Sequence, residues 1–209
     1  MRRLAREAAA PAAQRPRTKP SDVRREELLA SGERLFLERG VAGTSIDDIA
    51  AGADVAKGTF YLYFSSKEDF LGALRERYGA GYAARIAAHV ASRAAPDWAG
   101  RLDAWVEGGI NGYLDQVPLH DALFFGGDFH PRRRMSKGEG GIVGTLADLL
   151  REGNAARAWR VADPVFTAVL LFNALHFAVD HAIANREEAA REPLVAAVQD
   201  FFRRAVGLA

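Results

Sequence analysis

Residues 44–67 read TSIDDIAAGADVAKGTFYLYFSSK, and their spacing predicts two short helices joined by a tight turn. Thr44 and Ser45 are both candidate N-caps, with Asp47 and Asp48 three residues on completing a capping-box pairing in a first turn that favours acids. Ile49, Ala50 and Ala53 give the first of these helices its inward face. After Ala53-Asp54-Val55 the pattern resumes from about Ala56 to Phe64, aromatic-rich, with a lysine and small residues at its start. Two helices of under about ten residues around a turn of about four match a helix-turn-helix, whose second helix points its N-terminal residues at base edges.

Working outward, a first helix is expected from Ser21 or Asp22 to the stop at Gly40, with Leu28, Gly32, Leu35 and Phe36 along one face. The array Leu28, Leu35-Phe36, Gly40, Thr44, Ile49-Ala50, Ala53, Val55, Gly58, Tyr61, Tyr63-Phe64 and Lys67 resembles the DNA-binding domain of the tetracycline-repressor (TetR) family of bacterial transcription regulators, over roughly residues 22–70. Two positions depart from that pattern: Asp54 stands where the family usually has Gly in the turn, and Ala56 where it usually has Ser. Asp tolerates a left-handed backbone better than most side chains, whereas Ala removes a side-chain cap at a cost of about 1 kcal/mol.

The 209 residues, 49% hydrophobic, suffice for a small domain and a larger one. With no cysteine there is no disulfide framework, thiol catalysis or cysteine-ligated metal, and a cytosolic setting is natural. The net charge of +1 is unevenly spread: residues 1–20 hold six basic side chains against one acidic, and the remainder is net acidic. That Arg-, Ala- and Pro-rich arm is expected to stay flexible until it meets something anionic, and the alternative is a solvated leader without a role. No apolar run follows it, so secretion is not expected. The most apolar stretch, Val165–Val179, falls short of a bilayer's roughly 20 residues and carries Asn173 and His176, so a buried helix rather than a membrane span is expected.

Downstream, Ser65 and Glu68 are spaced as a capping box for a helix running through Phe70, Leu71, Leu74, Tyr78 and Tyr82 towards Val90, which ties the reading head to the rest. Pro96 marks a break, and a helix is expected from Trp98 to Val117. Trp105, Gly109, Gly112 and Tyr113 share one of its faces, so either a second helix approaches closely there or a ligand cavity opens. A short apolar helix spans Pro118–Phe125, residues 126–141 form a basic, glycine-rich loop without the order of a phosphate-binding motif, and Ile142–Arg151 resumes a helix that stops near Gly153. Asp163 and Pro164 start the next helix as N-cap and first helical residue. Two apolar stripes run along it, Val165, Val169, Phe172, His176, Val179 and Ile183 on one side and Phe166, Leu170, Asn173, Ala174 and Phe177 on the other. The last helix, Pro193–Val206, carries Leu194, Val198, Phe201, Phe202 and Ala205, and the surplus apolar surface of these two helices predicts a homodimer through four helices, as the resemblance also implies.

The expected fold is therefore all-α: a basic arm (1–20), a three-helix DNA-binding domain (21–66) and a larger helical domain for ligand binding and dimerisation (67–209). Thr44 and Ser45 are candidate phosphate donors, Lys57 and Thr59 candidate readers of base edges, and Gly58 lets the backbone approach. Tyr61 and Tyr63 can reach phosphate through their hydroxyls; the resemblance implies phosphate contacts for Tyr63 and Lys67, with Tyr61 shared with the core. Trp105, Gly109, Tyr113, Phe172 and His176 are candidates for the wall of a pocket taking an apolar or aromatic effector. His176 and His181 stand on different helix faces, which disfavours a shared metal. No catalytic, metal or cofactor site is expected. The resemblance implies a bacterial, cytoplasmic, nucleoid-associated regulator of a palindromic double-stranded operator, by default a repressor. The competing readings are a ligand-binding bundle that no longer reads DNA and, behind it, a small enzyme.

Overall fold

The computed structural model describes residues 20–125 and 141–208, so the basic arm and the basic loop lie outside the described residues but for Pro20 and Gly141. Among the described residues there are nine helices and no strand: α1 (Ser21–Arg39), α2 (Ile46–Gly52), α3 (Lys57–Phe60), α4 (Lys67–Ala91), α5 (Trp98–Leu114), α6 (Val117–Phe124), α7 (Gly141–Ala155), α8 (Pro164–Ala184) and α9 (Arg191–Val206).

Local chemistry explains most boundaries. Ser45 caps α2, its hydroxyl accepting from the Asp48 amide while the Asp48 carboxylate accepts from the Ser45 amide, a complete capping box. Asp163 caps α8 by accepting from the Phe166 amide at 3.0 Å, with Pro164 in the first turn. The cap of α4 lies one residue later than its sequence spacing suggests: Ser66 accepts from the Asp69 amide, and the Asp69 carboxylate accepts in turn from Ser65. The expected Trp98–Val117 helix ends at Leu114, because Pro118 sits in the first turn of a separate α6 that begins at Val117. Likewise α7 does not stop at Gly153. The missing side chain there admits the Trp159 indole, whose Nε1 donates to Leu150 O at 2.9 Å, and the helix runs on to Ala155.

Two apolar cores follow from this order. The first joins Leu28, Leu35 and Phe36 of α1, Ile49 of α2 and Phe60 and Phe64 to Phe70, Leu71 and Leu74 of α4 and to Leu123 of α6. The N-terminal core thus reaches beyond residue 66, taking in the first turns of α4 and the end of α6. The second core gathers α4, α5, α7, α8 and α9 around Trp105, whose ring stacks on Phe202 with centroids 6.0 Å apart. The face shared by Trp105 and the glycines of α5 is one of close approach at its centre: a Cβ on Gly112 would meet the Tyr82 ring, a Cβ on Gly109 would press on Leu175, and the Tyr82 hydroxyl donates to Gly109 O.

α8 is 21 residues long, longer than its apolar stretch suggested, and its core stripe coincides with neither of those expected, sharing only Val179 with the first. Ala168, Leu171, Leu175, Val179 and Ala182 are buried, a face turned by nearly a quarter-turn from the Val165/Val169/His176 stripe. Apart from Val179 that stripe is half-buried at the flank, while Phe166, Leu170 and Phe177 stand exposed. α9 starts at Arg191 rather than Pro193, and Arg203 holds it to α5 through a two-pronged pair with Asp103.

Candidate nucleic-acid interface and the cavity behind it

The turn between α2 and α3 is made by Asp54 in the left-handed region (φ 54°), the backbone that glycine would otherwise be needed to supply. It delivers α3 with its N-terminus outward. Lys57, Gly58 and Tyr61 are exposed, Thr59 and Tyr63 are half-buried, and Phe60 and Phe64 are the inward anchors. The expected Ala56–Phe64 recognition helix is shorter than the sequence suggests, four residues followed by a turn. Its N-cap, Ala56, makes no side-chain hydrogen bond. Ala56→Ser is expected to stabilise the domain by about 1 kcal/mol in chemical denaturation, and an unchanged midpoint would show that the aromatic anchors alone set the helix start.

Lys57 is held by a carboxylate of its own domain. Its Nζ lies 2.9 Å from Asp47 Oδ2, and that hydrogen bond raises the lysine pKa. Such a solvent-screened surface pair adds little to stability and is readily exchanged for a stronger anion or a guanine edge. Gly58 has open space where a side chain would be. Asp48 is held below the usual carboxylate range, first by its hydrogen bonds to Ser45 and then by the charges of Arg39 and Lys67.

Two of the candidate contacts are committed elsewhere. Thr44 is buried, its hydroxyl facing Gly40 O at 2.9 Å and Leu35 O at 3.3 Å, so it locks the α1–α2 turn instead of meeting phosphate through its side chain. Lys67 donates to the carbonyls of Val41 and Thr44, clasping α4 to that same turn. Ser45 is exposed but serves as a cap, so a phosphate there would have to share the hydroxyl with Asp48. Tyr61 is exposed and rests its ring edge-on against Phe60, so it stands outside the core that the resemblance has it share.

Behind this head lies a cavity of about 500 Å³. It is lined by Tyr78, Gly79 and Tyr82 of α4, Tyr113 of α5, His120, Phe124 and Phe125 at α6, Ile142 of α7, and Phe172, Asn173, His176 and Asp180 of α8. Of the five pocket candidates, Tyr113, Phe172 and His176 come together here. Trp105 and Gly109 do not line it: the indole is buried against Phe202 with its Nε1 donating to Thr145, and Gly109 faces Leu175. Sequence reading missed Tyr78, Tyr82, His120 and Asp180 as lining residues, and His120 carries no local signal at all. His120 and His176 face each other at 5.2 Å between centroids, with Tyr113 against both. The Tyr113 hydroxyl donates to Asp180 Oδ1 at 2.6 Å; burial, then that bond, pushes its pKa upward. The Tyr78 hydroxyl is buried with no hydrogen-bond partner among the described residues, and burial pushes its pKa up to about 12.

Burial also lowers the pKa of both histidines from 6.5, His176 further through His120. The unfolded chain therefore binds more protons than the folded one as pH falls below about 6.5, and stability falls with it until the folded histidines titrate. Denaturation midpoints at pH 7.5 and 5.5 are expected to differ in that direction. The difference should shrink in His120→Gln/His176→Gln.

A three-helix head with an outward α3, mounted by a long α4 on a helical body that encloses a cavity, is the architecture of a helix-turn-helix regulator. Residues 28–74 match the profile of bacterial regulatory proteins of the tetR family. The chain is 33% identical over 138 residues to the transcriptional repressor NemR of Escherichia coli, covering 62% of this chain and 68% of NemR. The solved reduced form of E. coli NemR superposes with a TM-score of 0.62 at 29% identity, over 85% of this chain and 96% of that one. A TetR-family regulator from Mesorhizobium loti gives a TM-score of 0.72 at 21% identity, over 90% and 98% of the two chains, a likeness of fold. The chain belongs to the TetR family and is a DNA-binding transcriptional regulator. Members of this family bind DNA operators and small-molecule effectors, act as dimers, and are soluble cytoplasmic proteins.

Proposed function

We propose that this chain is a repressor that binds a pseudo-palindromic operator as a homodimer and leaves it when a small apolar or aromatic effector enters the α4–α8 cavity. Lys57 and Thr59 read base edges and Gly58 admits the backbone to the groove. Ser45, Tyr61 and Tyr63 face phosphate, and Lys67 contributes charge while holding the α1–α2 turn. Nucleoid association in the cytoplasm accompanies this reading. The observation that carries it is the edge at the start of α3, with Lys57 and Gly58 exposed, Thr59 half-buried beside them, open space at Gly58 and the aromatic anchors on the opposite side. Exposed Phe166, Leu170 and Phe177 on α8 and Phe201 on α9 supply the apolar surface for a four-helix dimer interface.

The release mechanism rests on shared elements. His120 and Phe124 line the cavity from α6, whose Leu123 belongs to the N-terminal core, and Arg75 of α4 donates to Leu123 O at 2.8 Å. A ligand that favours a different α4–α6 arrangement changes the spacing of two heads that must stand about 34–36 Å apart to read successive major grooves. With no cysteine in the chain, the signal does not pass through a thiol.

The test is selection of bound duplexes from a randomised pool at about 0.15 M salt. A pseudo-palindrome should be recovered. Salt-sensitive retention without any motif would overturn the reading in favour of a bundle that has stopped reading sequence.

A further inference from the structure

The cavity's walls have a charge character as well as an apolar one. Tyr78, Tyr82, Tyr113, Phe124 and Phe172 turn aromatic surface to it, and none of its described lining residues is Lys or Arg. Asp180 brings a carboxylate into the wall, one oxygen engaged by Tyr113 and Oδ2 without a hydrogen-bond partner among the described residues. Asp121, exposed and outside the lining, lies 3.3 Å from His120, while Arg85, exposed, lies 5.9 Å from the Tyr82 ring centroid. The two histidines stay neutral at pH 7, since burial has lowered both from 6.5. The buried Tyr78 hydroxyl has no hydrogen-bond partner among the described residues.

We propose that the molecule this cavity takes is a lipophilic organic monocation, an ammonium with an aromatic body. The proposal rests on reading the cavity as the effector site and specifies what enters it. An anion of the same size would sit beside Asp180 with no described countercharge in the wall. A neutral hydrocarbon would fill the volume but make no use of the Asp180 carboxylate in the wall. A cation meets the electron-rich ring faces and the carboxylate together.

The discriminating measurement is calorimetric titration of the full chain with three molecules that share a benzyl group: benzyltrimethylammonium, its uncharged carbon isostere neopentylbenzene, and the smaller anion phenylacetate. The cation should bind at least about tenfold more tightly than either of the others. Asp180→Asn should bring it down to the isostere's level. Because the three-way comparison is made on the wild type, it stands even if that variant fails to fold. Equal or tighter binding of neopentylbenzene or phenylacetate, or no binding of the cation, overturns the proposal. Operator release is scored separately with the duplex recovered by selection. A cation that binds but leaves the duplex bound overturns the effector reading while the ligand class stands; release by the neutral or anionic molecule alone does the reverse.

Discussion

Alanine at both Lys57 and Thr59 is expected to lower affinity for the selected operator by about two to four orders of magnitude, with much less change in binding to unrelated duplex. Each good base contact discriminates by about 1–3 kcal/mol, and each 1.4 kcal/mol is tenfold. The loss is not offset by a stability change, because the Lys57 side chain is largely exposed and its pair with Asp47 is a surface pair. Replacing Asp47 with alanine instead should leave specific affinity intact or slightly higher, since Lys57 then leaves no partner behind on entering the groove. The salt dependence separates the two effects: losing one lysine should reduce the slope of log K against log salt by about one. Equal retention of specific and random duplex by wild type and double variant would remove α3 from the recognition surface altogether.

What the sequence disclosed was what local spacing determines. Ser45 with Asp48, Asp163 with Phe166 and Asp54 in a left-handed turn are all settled within four residues, and each stands where the spacing put it. Lys67 was legible as a cation beside the head but not as a clasp, because its carbonyl partners lie 26 and 23 residues away. Trp105 shows the limit for packing: alternating rings and glycines on α5 predicted a cavity or a close approach, and the same helix has both. Its centre is filled by Tyr82 and Leu175, and its end, at Tyr113, opens. On α8 nearly every face is apolar, so periodicity had no minimum to mark the core, and the buried stripe became visible only once α5, α7 and α9 were placed against it. His120 was invisible for a related reason, since its significance arises from a histidine 56 positions later on another helix.

Phe70→Ala is expected to destabilise the reading head by about 3–5 kcal/mol, the range for removing a fully buried aromatic ring. Phe70 has no exposed surface and its ring meets Phe36, Phe60 and Phe64 at centroid distances of 6.1, 5.4 and 4.9 Å, so it joins α1, α3 and the start of α4. Gly32 has no side chain because that ring lies against it, and the cavity left by alanine is bounded by other rigid rings that cannot collapse inward. The C-terminal core shares none of those contacts. A melt followed by hydrogen exchange should therefore show amides of α1 to α3 losing protection well below the temperature at which α5, α8 and α9 lose theirs. DNA binding should vanish at temperatures where ligand binding in the α4–α8 cavity persists. A single cooperative transition, shifted as a whole, would mean that the Arg75–Leu123 clasp and the length of α4 bind the two cores into one folding unit. In that case an effector would act on the head through its stability as well as its spacing.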